Sequence, residues 1–174
     1  LSQLTVVALR KAARKSLPIY LKIALSPLYA ARLTLAIRNA NLNTINRLFK
    51  EVTSGFNSVG SNTFGFSIQF AAPAPANEVG NATNTKGNVR LTVSSLRSIS
   101  KRVLRLYGKI SRDNAFATQL VQAAKVGNNI RLRALITPLL PSNSLVAVQG
   151  DRTGIVLQIK SSTGVVFISQ FFVL

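Results

Sequence analysis

Between Leu96 and Ile110 the apolar residues fall at Leu96, Ile99, Val103, Leu106 and Ile110. Steps of three and four place them on one stripe of a helix of about four turns. A second helix is expected after Ser111-Arg112-Asp113-Asn114, a cluster of N-cap residues. Phe116, Leu120, Ala123 and Ala124 form its buried side, and Gly127 suits its left-handed exit. Asn128 and Asn129 open a third helix carrying Ile130, Ala134 and Leu135, stopped by Pro138 and Pro141. The rhythm then changes from 3.6 to 2. Val146 and Val148, a Gly150-Asp151 turn, and Ile155, Leu157 and Ile159 read as an antiparallel hairpin. After a Ser161–Gly164 turn, Val165–Leu174 is nearly all apolar and reads as a last strand.

The same succession occurs earlier in the chain. Leu4–Phe49, moved 87 places, lies on Leu91–Ile136 without a gap, and positions 4–50 hold 14 identities. A fixed internal period points to a duplicated structural unit. In the first copy the stripe is Leu9, Ala12, Ser16, Ile19 and Ile23, and Pro18 stands where the second has Arg105, so a stop, restart or kink is expected there. The next helix runs from about Pro27 to Asn39. A third is opened by Asn41 or Asn43, carries Ile45, Leu48, Phe49 and Val52, and ends before Gly55. At an offset of 89, Val59 to Phe70 matches Val148 to Ile159, so the hairpin is duplicated too.

The copies then diverge. Ala71–Gly87, rich in Ala, Pro, Asn, Thr and Gly, reads as a linker. Gly87–Val93 is either a third strand of the first unit or the lead-in to the next helix. The expected fold is α+β: an internally duplicated unit of two or three helices followed by an antiparallel hairpin or meander. Its parts are unit one at 1–72, a linker at 73–88 and unit two at 89–174. The strands of both units merge into one sheet, with the helices on one face.

Charge changes the functional picture. Twenty-two Lys and Arg face four Asp and Glu, a net charge of +18. Such an excess repels itself in a compact chain and favours negatively charged partners. The absences narrow the chemistry. Without Cys or His there is no thiolate nucleophile, no imidazole base and no customary zinc ligand. Glu51, Glu78, Asp113 and Asp151 are scattered. Gly55–Gly60 lacks the Lys-Ser/Thr ending of a phosphate-binding loop and precedes a strand. A non-enzymatic protein with no cofactor, metal or small-molecule substrate is expected. Leu17–Ile37, the longest apolar stretch, contains Lys22, Arg32 and two prolines and is a poor membrane span. The basic, apolar pattern at 4–15 recurs at 91–102 and is therefore read as structure, not as a leader.

Positive charge persists at matched places. Arg10, Arg14 and Lys15 correspond to Arg97, Lys101 and Arg102; Lys22 corresponds to Lys109, and Arg38 to Lys125. Arg105 extends the second set at i, i+4, i+8 with Arg97 and Lys101. These residues form the candidate polyanion site, and nucleic-acid backbone is the favoured partner. Tyr20 and Tyr107 fall beside the buried stripe and read as core residues with water-exposed hydroxyls, which leaves the basic helices without stacking platforms. Asn81-Ala82-Thr83 matches the glycosylation sequon. A second expectation attaches to Phe167, Ile168, Phe171 and Phe172. Their strand is either central in the sheet or pairs with another subunit in a homo-oligomer, coat or filament. A third is peripheral attachment to an anionic membrane.

Overall fold

The computed structural model describes all of Leu1–Leu174. Thr5 and Thr92, matched in the repeat, set where the first helix of each unit begins. Each hydroxyl accepts an amide three residues on, from Ala8 at 3.1 Å and Ser95 at 3.0 Å. The helices they start are α1 (Val6–Leu25) and α4 (Val93–Arg112). Pro18 does not divide α1; the helix runs through it although the proline supplies no amide donor. Ser26 ends α1 and caps α2 (Pro27–Arg38), its hydroxyl accepting from Tyr29 N at 3.1 Å. Asp113 plays both parts between α4 and α5 (Asn114–Lys125), accepting from Phe116 N at 2.9 Å. Asn41 and Asn128 cap α3 (Leu42–Lys50) and α6 (Asn129–Ile136).

Each helical triplet is followed by a three-stranded antiparallel meander. The strands are β1 (Phe56–Ser61), β2 (Gly65–Ala71) and β3 (Glu78–Thr85), then β4 (Leu145–Gly150), β5 (Gly154–Lys160) and β6 (Val166–Val173). They form one six-stranded sheet in the order β1-β2-β3-β6-β5-β4. The unit is thus three helices then three strands, made twice, and the two meanders join at β3 and β6. In that pair Ala82 lies opposite Gln170, its own counterpart 88 residues later. A pseudo-twofold axis therefore passes between them.

The stretch read as a linker holds one of the two central strands. Its composition misleads because β3 turns Asn81, Thr83 and Thr85 into the core, all buried, and carries Gly80 beneath the ring of Phe172. A Cβ on Gly80 would come within 2.4 Å of that ring. Residues 87–92 are the lead-in to α4 and contain no strand.

One cluster of 44 buried residues spans both units, so they share a single core. The expected stripes of α1, α4 and α5 are buried as read. In α6 the phase is corrected. Ile130 is 86% exposed, and Leu132 and Ile136 face inward, matching Ile45 and Phe49 of α3. Two residues along a helix is about 200°, so the apolar Ile130 points away from the core.

Polar groups occupy the axis beneath α1 and α4. The Tyr20 hydroxyl donates to Asn81 Oδ1 at 2.5 Å and lies 2.7 Å from Thr83 Oγ1, while Asn81 Nδ2 donates to the Tyr107 hydroxyl at 2.8 Å. Thr83 Oγ1 is 3.3 Å from Ser169 Oγ. The two matched tyrosine rings meet edge to face, 5.1 Å apart. Their hydroxyls are not water-exposed; Tyr20, Tyr107 and Asn81 are all at 0% exposure. The sequon asparagine is thereby sealed in the folded protein.

Asn81→Ala removes an acceptor from Tyr20 and a donor from Tyr107 and lowers unfolding free energy by about 2 kcal/mol, read from urea titration. Burial, the largest cause, raises the pKa of Tyr20, Tyr29 and Tyr107 above the ordinary value near 10. Because the folded state holds these protons more tightly, the associated stability is complete below that value and is lost as pH rises above it. The urea midpoint is expected to be flat from about pH 7 to 9 and to fall above about pH 10.

Candidate polyanion-binding surface

The fold separates charge by layer. Nine cations lie on α1–α3 and nine on α4–α6, eighteen of the 22, whereas the strands carry only Lys160, at the end of β5. The acids do little to offset them. Arg32 and Glu51, 4.0 Å apart and both about half exposed, make the one ion pair. Asp113 is engaged as a helix cap. Asp151 accepts from the Thr153 hydroxyl and amide and from Gly154 N, bonds that hold its carboxyl below the usual range, the Thr153 hydroxyl contributing most.

The candidate cations divide into two kinds. Arg10 donates to the Ser111 carbonyl at 3.0 Å and to Asn114 Oδ1 at 3.2 Å, at the C-terminal end of α4. Arg97, its counterpart, donates to the carbonyls of Ile23 and Ala24 at 3.3 and 2.9 Å, at the C-terminal end of α1. The two helices therefore lie antiparallel, and each arginine satisfies carbonyls that the other unit's helix leaves unpaired, at the negative end of its dipole. Arg38 Nε donates to the Leu91 carbonyl at 2.6 Å, and Arg102 donates to the Lys160 carbonyl at 2.8 Å. Lys109 stands 4.9 Å from the centre of the Phe116 ring. Arg14, Lys22, Lys101, Arg105 and Lys125 are exposed and Lys15 half-buried, with no side-chain hydrogen bond from any of the six to another protein group.

The richest surface is α4. Its 20 residues extend about 30 Å, with a basic hollow at either end. One, of about 430 Å³, is lined by Arg97, Lys101 and Arg102 together with the hydroxyls of Ser94, Ser98, Ser162 and Thr163. The other, of about 410 Å³, is lined by Arg105, Lys109, Arg112, Asp113 and Leu139. Arg112 and the four hydroxyl residues escaped sequence reasoning. Arg112 has leucine as its repeat counterpart, and the β5–β6 turn reaches α4 only in the folded chain, where Ser162 N donates to Ser98 Oγ at 2.8 Å. Lys15 and Arg14 hold the α1 positions that match Arg102 and Lys101, whereas Pro18 and Leu25 replace Arg105 and Arg112. The ridge is thus fully basic in one unit only.

Of the two readings of the last strand, the central one holds, and β6 is not offered to another subunit. It is hydrogen-bonded to β3 on one side and β5 on the other, so it has no free edge. Phe167 and Phe171 are buried against the helices, while Ile168 and Phe172 lie partly exposed on the opposite face. No three His, Cys, Asp or Glu side chains cluster as metal ligands, and no helix is long and apolar enough to cross a membrane. No family model, curated protein or solved structure matches this chain.

The capping pair separates structural from available charge. Arg10→Ala and Arg97→Ala are each expected to lower stability by about 1–2 kcal/mol. Arg105→Ala should stay within about 0.5 kcal/mol of the parent in the same urea titration.

Proposed function

We propose that this protein binds the phosphate backbone of nucleic acid without catalysing a reaction, using the α4 ridge as its principal contact and Arg14, Lys15 and Lys22 of α1 as a second. One observation carries this reading: exposed cations without acidic partners are gathered on the helical layer and peak along α4. Mixed guanidinium, ammonium and hydroxyl groups suit phosphate oxygens. The ridge offers no exposed aromatic ring for base stacking, since Tyr107 is buried and Phe116 nearly so, which favours contact independent of sequence. Assembly through β6 has lost its structural support, so the polyanion reading stands first.

Fluorescence anisotropy with random-sequence DNA and RNA over a salt series tests it. Affinity should fall linearly in log–log form. Lys101→Gln, Arg105→Gln and Lys109→Gln together should reduce the slope by about 2–3, since each neutralised phosphate contributes about 0.7–0.9. Absence of binding at low salt, or a slope unchanged in the triple variant, would refute the proposal.

A further inference from the structure

The outer surface of unit one differs from that of unit two in one respect beyond charge. Leu21, Leu25, Leu28 and Leu35 are 44, 72, 70 and 60% exposed. Their repeat counterparts are Gly108, Arg112, Ala115 and Gln122, so the fold does not require leucine at any of the four. Single exposed leucines are ordinary, but four on adjoining helical faces are not. Leu25 and Leu28 stand either side of the Ser26 bend between α1 and α2. Leu28, Ala31, Arg32 and Leu35 share the outer face of α2 through i, i+3, i+4, i+7 spacing, and all four are exposed. Arg14, Leu21 and Leu25 form a line along α1 by the same rule.

Cations border these leucines. Lys22 lies three residues before Leu25, and Arg32 lies between Leu28 and Leu35. Arg97, bonded to the carbonyls of Ile23 and Ala24, brings the hollow shared with Lys101 and Arg102 to the base of the bend. Glu51, beside Arg32, is the acid adjoining the patch. We propose that the Leu25–Leu28 bend and the outer face of α2 dock on a membrane surface rich in anionic phospholipid. The leucines enter the boundary between headgroups and acyl chains while the surrounding cations meet lipid phosphates and carboxylates. Charge selects this occupant over a second copy of the chain, because a partner bearing the same +18 would bring like charges together at the rim. The protein would lie on the bilayer and not cross it.

This inference does not depend on nucleic-acid binding, and the test keeps the two apart. Flotation uses vesicles of phosphatidylcholine alone and with about one-third phosphatidylserine. The parent protein should float with the anionic vesicles only. The double variant Leu25→Gln/Leu28→Ala leaves net charge unchanged and takes its alanine from unit two. Its affinity for anionic vesicles should fall about tenfold or more, with urea midpoint and nucleic-acid anisotropy unchanged. Leu28→Trp, the sole tryptophan in a chain that has none, should shift its emission to the blue on anionic vesicles. Failure of the parent to float, equal binding by the double variant, or an unshifted tryptophan would overturn the proposal. So would a vesicle-free dimer in light scattering that the double variant abolishes, which would assign the patch to self-association.

Discussion

The antiparallel pairing of β3 with β6 joins two units that neither connect through another strand nor possess separate cores. Around it the Tyr20, Asn81 and Tyr107 side chains exchange hydrogen bonds out of contact with water, and α1 and α4 lie antiparallel above. Burial makes those polar groups costly if left unpaired and strongly orienting when paired. The network therefore specifies the register of β3 against β6 as well as adding stability. A one-residue slip would turn Asn81 and Thr83 to the opposite face and leave the tyrosine hydroxyls without partners.

The reciprocal arginines extend the same dependence to the helical layer. Arg10 and Arg97 each reach across the axis to the carbonyl end of the other unit's first helix. Neither unit alone supplies both the donor and the acceptors. Two of the eleven candidate cations thus have a structural occupation that accounts for arginine at both copies, and the exposed cations at Arg14, Lys22, Lys101 and Arg105 remain as an unopposed field. That field lies over one layer because the helices carry eighteen of the 22 cations, most densely along α4, while the strands carry only Lys160. The molecule is electrostatically two-sided as a result.

Much of the architecture was legible. The stripe at Leu96, Ile99, Val103, Leu106 and Ile110 and the alternation at Ile155, Leu157 and Ile159 appear in the structure where periodicity placed them, because one buried face must repeat at the period of its element. The third strand of unit one was not legible. Glu78–Thr85 buries Asn81 and Thr83, residues that composition assigns to loops, and hydroxyls from α1, α4 and β6 satisfy their polar groups inside. The inward face of α6 failed for a related reason. Ile130 is as apolar as the residues that face inward, but the helix enters from Asn128 at a phase that presents Leu132 and Ile136. In the candidate site the basic positions were visible in sequence, whereas Ser162 and Thr163 come to α4 from more than sixty residues away.

The sequence by itself determined the duplication, the order of helices before strands, and the excess of positive charge. These are local or periodic properties, written in the spacing and identity of neighbouring residues. Tertiary structure decided which arginines are caps and which are free, placed β6 in the middle of the sheet with both edges taken, and left four leucines of unit one facing outward. Each of these outcomes depends on what another segment contributes across the pseudo-twofold axis or at the neighbouring helix. A residue's type sets which bonds it can make; only its packed surroundings settle whether those bonds are made inside the protein or remain for a partner.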